Sequence, residues 1–270
     1  MQGDVLQRLD TSLYRELLAA VALGTARTTG LLVITPFLGR GILTGIARTG
    51  VTLAVSLPVL PLVFLGRPAE VAAGGLPLLL ALLVKELFVG MLLGLPVAAL
   101  SWGLEAAGGM IDNQRGATMA SSMNPATGNQ ASPLGIMLGQ VYVTWLFVTG
   151  GFLAILDALY RSHQLWPAWS FFPVLAPDFA AQMLGLLDAI MRAALVLAGP
   201  ALIAMFLSEF GLALVSRFAP NLQVFFMAMP IKSAVGVLML ILSLGVIFGE
   251  MTASAPSAAV LLAQLREWLR

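Results

Sequence analysis

The chain has 270 residues, of which 59% are hydrophobic and 10% charged, with a net charge of +1 and a mean hydropathy of +0.96. A soluble domain carries about 25% charged residues, so too little polar surface is present to hold this chain in water as a monomer, and a bilayer is its expected solvent. Absence of cysteine excludes disulfide and thiolate chemistry, and the near-zero net charge lacks the polybasic signature of a nucleic-acid binder.

The first sixteen residues, MQGDVLQRLDTSLYRE, mix acids with arginines. They lack the basic start, short apolar run and cleavage site of a secretory signal, so the first apolar segment is expected to be a retained helix. Stretches of spanning length then recur at Leu17–Phe37 (with Arg27 inside), Val51–Leu65 (with Pro58 and Pro61), Leu76–Leu100 (with Lys85 and Glu86), Ile136–Leu156, Leu186–Phe210 and Phe225–Phe248. About twenty apolar residues cross a hydrocarbon core of roughly 30 Å. The expected fold is therefore all-α: a polytopic membrane protein of about six kinked helices, the second marginal in length.

Six alternating spans put Arg40, Arg48, Arg115 and Arg217 on one face and Arg8, Arg15, Arg67, Arg161, Arg266 and Arg270 on the other. That division does not select an orientation by the positive-inside rule. Pro36, Pro58, Pro61, Pro77, Pro96, Pro200 and Pro230 lie in or beside apolar segments, where each removes a backbone donor and tends to kink or break its helix. Freed carbonyls are tolerated at membrane depth where protein or trapped water satisfies them, so these helices are expected to pack against protein. The pairs Gly41/Gly45, Gly90/Gly94, Gly135/Gly139 and Gly245/Gly249 permit close helix approach, although a chain with 27 glycines yields such pairs by chance too.

Towards the C-terminus, two long apolar helices near 184–216 and 225–250 flank Ala219-Pro220-Asn221 and form a helical hairpin. The stretch LWPAWSFFPVLAP (165–177) separates this hairpin from what precedes it, and its Trp166, Trp169, Phe171 and Phe172 suit a membrane–water interface.

Little in the chain suits catalysis. The single histidine, His163, is expected to be solvated or an interfacial anchor in the connector, and no H-E-x-x-H pattern or glycine-rich phosphate loop is present. Intramembrane charge marks a functional site by default, and Arg27, Lys85, Glu86, Asp188, Arg192, Glu209 and Lys232 qualify. Asp188 and Arg192, four apart, are expected to neutralise each other. Lys85 and Glu86 are adjacent and point to different faces, so each needs a partner elsewhere. Glu209 and Lys232 lie eleven and twelve residues from Pro220, which places them side by side in the hairpin. Proton-relay residues of a transporter and structural pairs at subunit contacts would both look like this.

The most unusual segment is 105–134, EAAGGMIDNQRGATMASSMNPATGNQASPL. It is too polar to span and far longer than the two to eight residues that usually join helices. Its glycines bend and its methionines, Met110, Met119 and Met123, fill irregular gaps. A mobile tether and a packed re-entrant plug in a lumen both fit; the near-neutral charge and the methionines favour packing.

AGGMIDNQRGATMASSMNP, followed by Gly150-Gly151 and the connector SHQLWP, resembles the export-apparatus T subunit (SctT/FliR family) of bacterial type III secretion systems. RFAPNLQVFFMAMPIKSAVG (217–236) resembles the second signature of that family, and ITPFLGRGILTGIAR (34–48) and KELFVGMLLG (85–94) also fit. The double glycine and Trp-Pro connector resemble the injectisome branch more than the flagellar one.

The resemblance implies a non-enzymatic subunit without cofactor or metal, in the bacterial inner membrane. It implies a P-subunit-like region over 1–180 and a Q-subunit-like hairpin over 181–270. The implied partners are the P-type (SctR) and Q-type (SctS) subunits, the autocleaving switch subunit (SctU), membrane lipid and secreted proteins in transit. The plug would comprise Met110, Asp112, Asn113, Gln114, Arg115, Gly116, Met119, Met123, Asn124 and Pro125. Subunit contacts would involve Lys85, Glu86, Arg192, Glu209, Arg217, Pro220, Asn221, Pro230 and Lys232. The alternative class is a polytopic secondary transporter with buried charge in kinked helices; such transporters often carry inverted repeats, and none is visible between the halves.

Overall fold

The computed structural model describes residues 2–36, 45–66, 75–116, 132–170, 175–218 and 224–269. Nine helices follow one another among them: α1 (Gln2–Ile34), α2 (Ile46–Ser56), α3 (Leu60–Leu65), α4 (Gly75–Gln114), α5 (Pro133–Val148), α6 (Gly151–Leu165), α7 (Phe179–Phe218), α8 (Val224–Ala253) and α9 (Ala258–Trp268). Glu16–Ile34, Gly75–Gln114, Phe179–Phe218 and Met227–Ala253 are long and apolar enough to cross a membrane, and α5 with α6 makes a fifth span if that pair, bent by 73°, is counted as one. The chain is thus a polytopic helical membrane protein.

Two departures from the six expected spans have local causes. The stretch Val51–Leu65 breaks into α2 and α3 around Pro58. That residue cannot donate to the Ala54 carbonyl, which instead accepts from Leu57 N at 3.3 Å, while Val59 N turns back to Ser56 O at 3.0 Å. The Val55 carbonyl at the break accepts the Tyr160 hydroxyl at 3.0 Å. The stretch Ile136–Leu156 is divided at Gly150, whose φ of 79° lies in the left-handed region that glycine adopts without strain. By contrast, Pro96, Pro200 and Pro230 sit inside uninterrupted helices. Proline alone therefore did not decide where helices end.

The helices pack into two units. The first comprises Met1–Ala98, Thr149–Gln182 and Pro256–Arg270. Its core gathers Ala20, Leu23, Val59, Val63, Leu82, Ala168 and Trp169, and the Trp169 indole donates to Val63 O at 2.7 Å. Trp166 and Trp169, expected at a membrane–water interface, are buried within this unit; Phe171 and Phe172 lie outside the described residues. Helix α9, which the sequence reading passed over, is capped by the Ser257 hydroxyl accepting from Val260 N at 3.3 Å. It lays Leu261, Leu265 and Trp268 into the unit and packs on α6.

The second unit comprises Ala99–Val148 and Met183–Ala255. Leu104 and Ile111 of α4, Leu138 and Tyr142 of α5, and Ala194, Ala198 and Met205 of α7 are buried within it. The hairpin expected over 184–216 and 225–250 is present as α7 and α8, and its turn lies outside the described residues. This packing into units is a different division from the one at residue 180, which concerns likeness to partner subunits.

In each unit glycines let backbones meet. A Cβ on Gly90 of α4 would lie 2.0 Å from the Arg27 carbonyl oxygen of α1, and one on Gly30 would lie 2.1 Å from the Leu87 oxygen. In the second unit, a Cβ on Gly108 would meet Gly135 N at 2.4 Å. Gly245 and Gly249, by contrast, face open space in this chain. Gly90→Ala is therefore expected to force α1 from α4 and to destabilise the chain by about 1–3 kcal/mol. Gly245→Ala is expected to leave stability unchanged or raise it by up to about 1 kcal/mol. Thermal unfolding of the two detergent-purified variants beside the parent checks the contrast.

Candidate functional site

The buried charged side chains described in the first unit converge where α1 crosses α4. The crossing brings Arg27 opposite Glu86, one helical turn before Gly90. Both are fully buried, and the guanidinium grips the carboxylate with two hydrogen bonds, Nε to Oε2 at 2.8 Å and Nη2 to Oε1 at 2.9 Å. Arg27 also donates to Ser162 Oγ of α6 and to the Trp166 carbonyl, each at 2.9 Å. One side chain thus ties α1 to α4, to α6 and to the connector after it.

Lys85 completes the cluster. Its ammonium lies 2.7 Å from Glu86 Oε1 and donates to the carbonyls of Pro167, Ala168 and Ser170 at 3.2, 2.9 and 2.9 Å. It also sits 5.5 Å from the centre of the Trp166 ring. Two cations therefore share one carboxylate, and backbone carbonyl dipoles supply the remaining negative potential that a buried cation needs. His163 closes the group from α6. Its Nδ1 donates to Leu159 O at 3.0 Å, while Nε2 is 4.0 Å from Glu86 Oε2 and has no hydrogen-bond partner.

This arrangement corrects two expectations. His163 is 3% exposed, so it is neither solvated nor an interfacial anchor. Lys85 and Glu86, expected to point to different faces and each to need a partner elsewhere, instead meet each other, with Arg27 on the same carboxylate. Long side chains at neighbouring positions can bend towards one partner between them, which the helical projection overlooks. Among the described residues no group of acids, histidines and cysteines is arranged to hold a metal ion.

In the second unit the first ten residues of the 105–134 segment are helical and complete α4. Gly116 follows with φ 77°, and Met119, Met123, Asn124 and Pro125 lie outside the described residues. Asp112 is fully buried. Its Oδ1 pairs with Arg115, at 2.8 Å from Nε and 2.6 Å from Nη2. Its Oδ2 accepts from the Ser132 hydroxyl and, at 2.9 Å, from Leu134 N. Ser132 Oγ in turn accepts from Gly135 N at 2.9 Å. Ser132 and Asp112 together satisfy the first N–H groups of α5, where a negative charge also suits the helix dipole. A single carboxylate thereby fixes the last turn of α4 to the first turn of α5.

Of the other named residues, Met110 and Gln114 are half-buried and Asn113 is exposed. The expected hairpin pair is present: Lys232 Nζ lies 3.0 Å from Glu209 Oε2, and Gln114 Nε2 donates to the same oxygen at 3.5 Å. Asp188 and Arg192 are both exposed and form no ion pair with each other, so their expected neutralisation is not observed. Arg217 is also exposed, Pro230 lies within α8, and Pro220 and Asn221 fall outside the described residues.

Removing Glu86 and removing Arg27 have different charge consequences. Glu86→Gln leaves two buried cations without an anion, and loss of one partner from a buried pair costs about 3–5 kcal/mol. Arg27→Met leaves Lys85 and Glu86 balanced. Glu86→Gln is therefore expected to destabilise the protein more than Arg27→Met, read as the drop in thermal midpoint and in steady-state membrane level. Equal or reversed effects would refute the charge count.

The model for bacterial export proteins, family 1, matches residues 18–256. Over 211 residues the chain is 45% identical to the Yersinia pestis "Yop proteins translocation protein T", covering 78% of this chain and 80% of that protein. It is 35% identical over 227 residues to the Salmonella typhimurium "Surface presentation of antigens protein SpaR", covering 84% and 83%. To the Bacillus subtilis "Flagellar biosynthetic protein FliR" it is 30% identical over 165 residues, covering 61% and 64%.

Proposed function

This chain belongs to the bacterial export proteins, family 1, with a role in a type III export apparatus, and from that premise we propose that it is a structural and gating subunit of the export gate. In this reading it resides in the bacterial inner membrane and assembles with P-type (SctR) and Q-type (SctS) subunits into the entry pore for unfolded substrates. The switch subunit (SctU) lies beside the hairpin turn near Pro220, and residues 181–270 act as a Q-like hairpin. The observation that carries the reading is the family match over 18–256, together with the higher identity to the Yersinia and Salmonella secretion proteins than to the flagellar one.

Within that gate we assign the segment 105–134 to closure of the resting pore. Its support is chemical: near-neutral charge, glycines that bend and methionines that repack at small cost. Asp112 supports it too, since that residue anchors both flanks of the segment within the protein. A charged lining would hydrate and leak, and a rigid aromatic one would not yield to a passing chain. Deleting Met119 to Thr127 spares Asp112, Arg115, Ser132 and the helices on either side. The deletion complex is expected to assemble with its partners yet admit small ions and solutes in cells whose secretion is switched off. An assembled deletion complex as tight as the parent would remove the closure assignment.

A further inference from the structure

The helix break at Pro58 leaves a groove of about 450 Å³ between the α2–α3 corner and the C-terminal half of α6. One wall is apolar, from Pro58, Val59 and Leu62; the other is polar, from Asp157, Arg161 and Gln164. Asp157 and Arg161 pair at 2.8 Å with side chains 45% and 62% exposed, so their polar atoms are open to a ligand. Tyr160 lies between the walls with its hydroxyl already given to the Val55 carbonyl. Around the corner, Leu57 and Leu65 are 60% and 81% exposed, an apolar surface suited to acyl chains in a membrane protein. Arg161 and Asp157 give the polar wall one cation, one anion and no net charge.

We propose that this groove seats a phospholipid whose headgroup is zwitterionic, an amine linked to a phosphate diester. Arg161 takes the phosphate, Asp157 takes the ammonium, Gln164 supplies a further amide contact, and the apolar wall receives the first methylenes of the chains. The neutral wall favours the zwitterion over an anionic glycerol lipid: both phosphates gain Arg161, but an ammonium gives Asp157 an opposite charge, where glycerol hydroxyls give it only neutral donors. The commoner role of an exposed i, i+4 pair is to support its own helix. What singles this one out is its opening into a cavity with an apolar opposite wall.

The test uses the full-length chain in its purified assembly and photoactivatable analogues of phosphatidylethanolamine and phosphatidylglycerol, with the labelled residues mapped by peptide mass spectrometry. The ethanolamine lipid is expected to label residues 57–62 and 157–164 about tenfold more than the glycerol lipid, a difference of about 1.4 kcal/mol. The double variant Asp157→Asn/Arg161→Gln is expected to lose that preference. Arg161→Lys, which keeps the cation and the neutral wall, is expected to retain both the labelling and the preference. Excess soluble phosphoethanolamine is expected not to compete, since it lacks the chains. Equal labelling by the two lipids, an undiminished preference in the double variant, loss in Arg161→Lys as well, or displacement by soluble phosphoethanolamine would each overturn the proposal.

Discussion

Backbones of two membrane helices can touch only where side chains are absent, and at Gly30 and Gly90 they do. The Arg27 carbonyl lies where a Cβ on Gly90 would fall, and this closeness is what lets the guanidinium and carboxylate meet in full burial. Fully buried charge is tolerable only when paired and hydrogen-bonded. Arg27 therefore spends its remaining donors on Ser162 and Trp166, and Lys85 reaches the carbonyls of 167, 168 and 170. The position of α6 and its connector follows from where those donors point. Packing at the glycines and satisfaction of charge are one constraint seen from two sides.

The second unit handles polarity by a different device. There the groups to satisfy are the first N–H donors of α5, and Asp112 meets them from the end of α4 while Arg115 balances its charge. Gly108 and Gly135 again permit the approach. The pair Glu209–Lys232 is of another kind. With Glu209 half open, it contributes less to stability than a buried pair, as exposed pairs do, and its value lies in fixing the register of α7 against α8.

How much of this could be read from the sequence varied with how local the cause was. The membrane class, the long apolar helices and the hairpin pair Glu209–Lys232 follow from composition, run length and distance from a turn, and these are properties of neighbouring residues. The family was legible in the motifs around 107–125 and 217–236, and the match over 18–256 agrees with them. The Arg27–Glu86 cluster was not legible, because its members are 59 positions apart, and of the two glycines where the helices touch Gly30 belongs to no spaced pair while Gly90 belongs to one of a kind chance also produces. The burial of Trp166 and Trp169 was not legible for the same reason, since it rests on Lys85 and on the Val63 carbonyl, both far away along the chain. Helix α9 leaves a weaker signal, because its apolar residues Leu261, Leu265 and Trp268 belong to an 11-residue helix lying on the protein, too short for a spanning run.

A double-mutant cycle on Arg27 and Glu86 tests the central claim most directly. Unfolding free energies in one detergent are measured for the parent, Arg27→Met, Glu86→Gln and the combination. Two cations sharing one carboxylate require that the combination, with only Lys85 left charged, be no less stable than Glu86→Gln alone, with a coupling of about 2 kcal/mol or more. Additive losses, leaving the combination the least stable of the four, would contradict the claim that this cluster is held together by its charges.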